Sequence, residues 1–228
     1  LIASALTVLM IWLASFFPFK LPSLPFLPKI TQTEKQNETP KKSEETQKQD
    51  NRNNNPYFMR DAADRLTALH FSVIPVNYDK RPNLKTWKPF QENIATPFEI
   101  IDMFAKNETG IAIVTGKVSG NTEIFDEDLK YDLTGTMHDD FISRLNEMAP
   151  GLLQKLIIQK TRNGGHHYAY RCEFIEGNLK LATRPTSEEE QKKHPQEKVK
   201  ALYETRGEGG YFVCAPTPGY EVIQGNFE

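Results

Sequence analysis

Apolar residues follow three different rhythms along the chain. Residues 1–19, "LIASALTVLMIWLASFFPF", are uncharged throughout, and "KLPSLPFLPK" after them holds three prolines that forbid a continuing helix. Residues 31–55 carry no aromatic side chain and, Pro40 apart, only charged or polar groups. From Pro56 the pattern alternates. "YFMRDAADRLTALHF" has helical spacing and "SVIPV" reads as a short strand. "TPFEIIDMFAKN" predicts a helix capped by Thr96, with Pro97 in its first turn and Glu99 completing a capping box. "GIAIVTG" and "TEIFDED" predict two apolar strands, and "DDFISRLNEMAP" an amphipathic helix ended by Pro150. "KLIIQKT" and "HHYAYRC" flank "RNGG" as a hairpin; "KVKALYETR" and "YFVCAP" flank "GEGG" as a second one. Ser187 caps a short polar helix in "TSEEEQKKH". Helices alternating with hairpin-joined strands predict an α+β domain, a mainly antiparallel sheet with helices packed on it.

These rhythms divide the 228 residues into an apolar segment 1–30, a polar linker 31–55 and a folded domain 56–228. Residues 1–19 reach the length of a membrane span, about 20 residues. A membrane anchor, a signal segment and upstream sequence translated in error are the open readings of them. The linker cannot bury enough surface to offset chain entropy and is expected to be disordered. A start at Leu and an abrupt stop at "EVIQGNFE" are what a piece of a longer chain would show. Net charge is −2, so no global basic field advertises nucleic acid, although a local cleft can still be basic. Cys172 and Cys214 have no metal-binding spacing and point weakly to a reducing compartment. The expected location is the cytoplasm, with a membrane association only if residues 1–19 are a true anchor.

Candidate chemistry centres on acids. In a strand, Asp126 and Asp128 share a face and Glu127 points the other way. Two carboxylates about 6–7 Å apart on one face repel unless water or a cation intervenes. A divalent cation such as Mg²⁺ suits them, with substrate phosphates completing its shell. Alone, Asp-x-Asp is also an ordinary acidic strand end. Glu204 supplies a third acid beside Arg206, at the mouth of a Gly-rich turn; the bland alternative is a cross-strand ion pair. In "TRNGGHHYAYR", Gly164 and Gly165 allow a backbone or phosphate to come close. His166 and His167 project to opposite faces, so one of them faces the acids. "TGKVSG" is not a phosphate loop, since Ile111 stands at the first glycine position and Val118 replaces the hydroxyl.

Four stretches in this order, "KRPNLKTWKPFQ", "GIAIVTGKVSGNTEIFDED", "NGGHHYAYR" and "ETRGEGGYFVCAPTPGYEVIQG", resemble the bifunctional DNA primase/polymerase domain of the archaeo-eukaryotic primase superfamily. The resemblance runs from about Ala62 to Gly225. It implies an RRM-like catalytic palm of mainly antiparallel strands. It implies Asp126, Asp128 and Glu204 as catalytic ligands of two Mg²⁺ or Mn²⁺ ions, and His167 as a contact to nucleotide phosphates. Arg206, Gly164 and Gly165 accompany the nucleotide site. Gly165 stands where many members have a serine, and Leu129 follows the acidic motif where a polar residue or proline is common. Lys80, Arg81, Lys85 and Trp87 are candidates for template binding, since lysine and arginine track phosphates and tryptophan stacks on bases. Trp87 as packing for its own loop is an equal alternative. The implied partners are single-stranded DNA, nucleoside triphosphates and a downstream helicase domain, in a replication protein of a plasmid, phage or integrated element. A rolling-circle-type nickase and a non-catalytic single-strand-binding module are the competing functions.

Overall fold

A computed structural model describes residues 55–105 and 110–227; the apolar segment 1–30 and all but the last residue of the polar linker lie outside the described residues. The domain is α+β. In chain order its helices are α1 (Phe58–Ala68), α2 (Pro97–Met103), α3 (Met137–Met148) and α4 (Glu188–Lys193). Its strands are β1 (Ser72–Val76), β2 (Gly110–Val114), β3 (Thr122–Glu127), β4 (Ile157–Lys160), β5 (His166–Arg171), β6 (Lys180–Pro185), β7 (Val199–Arg206), β8 (Tyr211–Cys214) and β9 (Glu221–Gln224). No described helix is long and apolar enough to cross a membrane.

The strands form two antiparallel sheets, a small one of order β1-β2-β8 and a large one of order β6-β7-β3-β5-β4-β9. Within the large sheet, β3, α3 and β4 form a split β-α-β unit with β5 inserted between the two strands. Pro75 sits on β1, an edge strand, where its missing N–H removes no inner ladder bond. Period-two alternation sorts the small sheet's side chains. Val73, Ile111, Ile113 and Phe212 join Met59, Ala63 and Leu66 of α1, Ile100 of α2, and Ile124 and Ala169 of the large sheet in one core. Ile74, Val76, Ala112, Val114 and Val213 pack with Tyr220 on the other side. The rear of the large sheet has its own core, where Phe125, Tyr168 and Tyr203 meet Phe141 and Leu145 of α3. The predicted capping box of Thr96 with Glu99 forms, and Ser187, predicted as a cap, forms a second box with Glu190.

Two expectations change. The segments around "GEGG" are not a hairpin: β7 pairs with β3 and β6, while β8 pairs with β2. The turn carries the chain from the large sheet to the small one. Its glycines are there for close approach. A Cβ on Gly207 would lie 2.1 Å from the Glu176 carbonyl, and one on Gly210 2.4 Å from Asn178 Oδ1. Gln91 Nε2 donates to the Gly209 carbonyl at 2.7 Å and fastens the turn to the small-sheet lobe. Strands β6 and β9, which the sequence pattern does not announce, extend the large sheet at its two edges.

Candidate active site

Strand β3 crosses the centre of the large sheet, and its last residues set up a floor. Asp126 stands opposite Glu204 on β7 and opposite His167 on β5. Directly opposed residues share a face, so these three side chains form one row across three neighbouring strands. Ile124, two residues back on the same face, is in the core shared with the small sheet. The row therefore opens where the two sheets diverge. Asp128, just past the strand end, donates its backbone N–H to the Leu202 carbonyl at 2.9 Å, which extends the β7 ladder. The result is a cleft of about 310 Å³. Its floor is Asp126, Asp128, Glu204 and His167; its walls include Lys80, Trp87, Lys130, Asn178, Arg206, Tyr211 and Tyr220.

The hydrogen bonds around His167 fix its chemistry. Ala215 N–H donates to Gln159 Oε1 at 2.9 Å, so the other end of that amide is the NH₂ group. Gln159 Nε2 donates to the Val213 carbonyl at 2.8 Å and to His167 Nδ1 at 2.8 Å. An imidazole that accepts at Nδ1 carries its proton on Nε2 when neutral. Burial, with Lys80 and Arg206 adding to it, pushes the His167 pKa down to about 3, so the ring is neutral in the working range. Nε2 lies 3.5 Å from Asp126 Oδ1, at the cleft floor. His167 is thus a neutral donor with a fixed tautomer, further held by Phe212 edge-on at 5.6 Å.

The acids are short of positive charge. Burial, then Asp128, then Glu204, raises the Asp126 carboxyl to about 7, against the weaker pull of Arg206 and Lys80. Asp128 pairs with Lys130 at 3.1 Å, and Glu204 pairs with Arg206. Lys80 has its pKa lowered by burial and by Lys130, opposed by Asp126 and Asp128. An array whose central carboxyl resists ionisation because it is buried and because its neighbours are anionic fits divalent cations, which neutralise several carboxylates at once. The three acids share the cleft without all converging within 4.8 Å. Among the described residues, the group that does converge so tightly is Glu127, His138 and His166, on the rear of the sheet.

Of the residues singled out in the sequence, Asp126, Asp128, Glu204, His167, Arg206, Lys80 and Trp87 line the cleft. Trp87 is also packed, edge-on against Tyr211 at 5.1 Å, so stacking and packing are not exclusive there. Arg81 and Lys85 are exposed on the same loop outside the lining, and Arg81 pairs with Asp79 at 3.5 Å. Gly164 and Gly165 are not among the lining residues either. The close approach at Gly165 is made by protein backbone, since its Cβ would lie 2.0 Å from the Glu127 carbonyl. Sequence reasoning passes over Gln159, Lys130, Asn178 and Tyr220. Gln159 alone left a trace, a polar residue inside the apolar run "LIIQK", five places before the first of the hairpin glycines it shares with His167.

No curated protein matches the chain. A family comparison does: residues 63–226 match the family described as bifunctional DNA primase/polymerase, N-terminal. That span includes both sheets and every cleft residue named above. On this match the chain belongs to the bifunctional DNA primase/polymerase N-terminal family.

Proposed function

We propose that this chain is a template-dependent nucleotidyltransferase that makes or extends primers, with Asp126, Asp128 and Glu204 holding two divalent metal ions. Family membership supports primase/polymerase-type activity. The observation that carries the site assignment is the row Glu204–Asp126–His167 across β7, β3 and β5, with Asp128 at its end, on the floor of one cleft. The strand order β7-β3-β5-β4 around the split β-α-β unit supports the RRM-like description of the palm.

Mg²⁺ or Mn²⁺ ions bound there would supply charge neutralisation at the attacking 3′-hydroxyl and the leaving pyrophosphate. The chain's own residues do the rest by placement. Asp126 would be held ionised by a cation in the site. Lys130 and Arg206, the present partners of Asp128 and Glu204, would be available to triphosphate oxygens if those acids held a metal. His167 donates its Nε2 proton to a phosphate oxygen and cannot act as a base, because Nδ1 is already accepting from Gln159. Lys80 and Trp87 line the cleft, and Arg81 and Lys85 are exposed on the same loop, a set suited to tracking a template strand. In this reading residues 56–228 are the catalytic domain, and a helicase domain or partner of a mobile-element replication protein would supply template affinity.

A rolling-circle nickase would put paired histidines on one metal, whereas His166 and His167 point to opposite faces of the sheet here. The full chain, given a primed single-stranded template, labelled nucleotides and Mg²⁺ or Mn²⁺, should extend the primer. The double substitution Asp126→Asn with Asp128→Asn should abolish extension while leaving the circular dichroism spectrum unchanged. Undiminished extension by the double variant would refute the site. An inactive parent that still binds single strands would leave only a binding module.

A further inference from the structure

Behind the cleft floor lies a second cluster that the proposed reaction does not use. Glu127 is fully buried, and Phe125 on its face of β3 belongs to the rear core beneath α3. A single oxygen of it, Oε2, meets His138 Nδ1 at 2.9 Å, His166 Nδ1 at 2.8 Å and the Tyr168 hydroxyl at 3.2 Å. The other oxygen, Oε1, is buried and has no hydrogen-bond partner. The Tyr203 hydroxyl donates to the Met137 carbonyl at 3.0 Å. The two imidazole rings lie stacked, with centroids 4.4 Å apart.

A buried carboxylate with one orphan oxygen and two histidine nitrogens aimed at its partner is poorly served by hydrogen bonds alone. The same three groups form a His₂Glu set with ligand atoms within 4.8 Å of one another. That set suits zinc, with ligands at about 2.0–2.2 Å and a fourth position left open. Seating the ion requires the nitrogen and oxygen atoms to part by only about half an ångström from their present separations. His138 is the group able to give way, being 37 % exposed near the start of α3. Oxygen-preferring Mg²⁺ is the wrong ion for two imidazoles, so this site and the cleft differ in metal preference.

We propose that Glu127, His138 and His166 bind one zinc ion on the rear of the large sheet. The ion would tie α3 to β3 and β5 directly behind Asp126, Asp128 and His167, the sequence neighbours of Glu127 and His166. Bound there, the ion would hold the end of β3 in register, and the proposal does not depend on the reaction assigned to the cleft.

The test uses the full chain, stripped with a chelator and then dialysed against Zn²⁺, or against Co²⁺ as a spectroscopic probe, in excess Mg²⁺. The expected result is one zinc retained per chain and a visible Co²⁺ spectrum of tetrahedral intensity. Both should persist in the Asp126→Asn, Asp128→Asn double variant. Both should be lost in His138→Ala, at a side chain 37 % exposed, and in Glu127→Gln, with the fold of each variant checked by circular dichroism. A parent that retains no zinc overturns the proposal and leaves a hydrogen-bonded cluster. So does His138→Ala retaining zinc as the parent does, or loss of zinc in the double variant, which would place the ion in the cleft.

Discussion

Gln159 decides what His167 can do, because its amide is locked at both ends by the Ala215 N–H and the Val213 carbonyl. Gln159→Leu removes the hydrogen bond that fixes the tautomer. Its expected effect is a rise in KM for nucleotide of about tenfold, equivalent to about 1.4 kcal/mol, with a smaller change in kcat. Steady-state extension kinetics separate the two; an unchanged KM would mean that the amide serves packing alone. Asp126 carries the pH dependence. Its carboxyl ionises near 3.8 in the unfolded chain and near about 7 in the fold. Between those values the unfolded chain holds fewer protons, so metal-free stability falls as pH rises, and the full penalty applies above about 7. Asp126→Asn should therefore exceed the metal-free parent in stability by roughly 2–4 kcal/mol at pH 8, and match it near pH 4, in denaturant titrations. His167 works in the opposite sense. Its depressed pKa makes the unfolded chain the better proton acceptor below pH 6.5, so acid weakens parent and variant alike.

At the scale of elements, the meeting of the β4–β5 hairpin with the end of β3 positions the site. Gly165 is the contact point. A methyl group there would lie 2.0 Å from the Glu127 carbonyl and 3.3 Å from Leu129 N, both backbone atoms that cannot swing aside. Gly164, one residue earlier, faces open space and has φ +85. Gly165→Ala should lose about 3 kcal/mol or more, through forced separation of the strands, whereas Gly164→Ala should lose about 1–2 kcal/mol for a left-handed backbone. Urea unfolding of the two variants measures the difference; equal losses would refute the close packing. The elements that sequence announced best had local causes. Thr96 and Glu99 satisfy each other's backbone groups within one turn, and "RNGG" brings two β-rich runs together across four residues. Strand β6 was not legible, since "KLATRP" is half-buried and gains its ladder only because β7 lies beside it. The "GEGG" turn misled for a related reason. Its glycines look like hairpin glycines, but what they admit is the backbone of residues 176–177 and the Asn178 side chain.

For the molecule as a whole, the cleft exists because two sheets share one core and then diverge. The sequence by itself determined which side chains are chemically able: acids two apart on a strand, a histidine two residues after a glycine pair, an acid two before an arginine. Strand alternation alone fixed that Asp126 and Asp128 share a face and that His166 and His167 do not, because the period of two is a property of any extended backbone. It also determined the starts of α2 and α4, since the Thr96 and Ser187 caps are satisfied within a few residues. Only the tertiary structure decided that Glu204 stands opposite Asp126, although 78 positions separate them by number, because register between distant strands is set by the packing of whole cores. It alone placed Gln159 behind His167, Lys130 beside Asp128, and Glu127 with His138 and His166 at the rear. Those are contacts between segments that no local pattern joins. They depend on where buried surfaces put the backbone, and that is fixed by the sum of all contacts and not by any one stretch of chain.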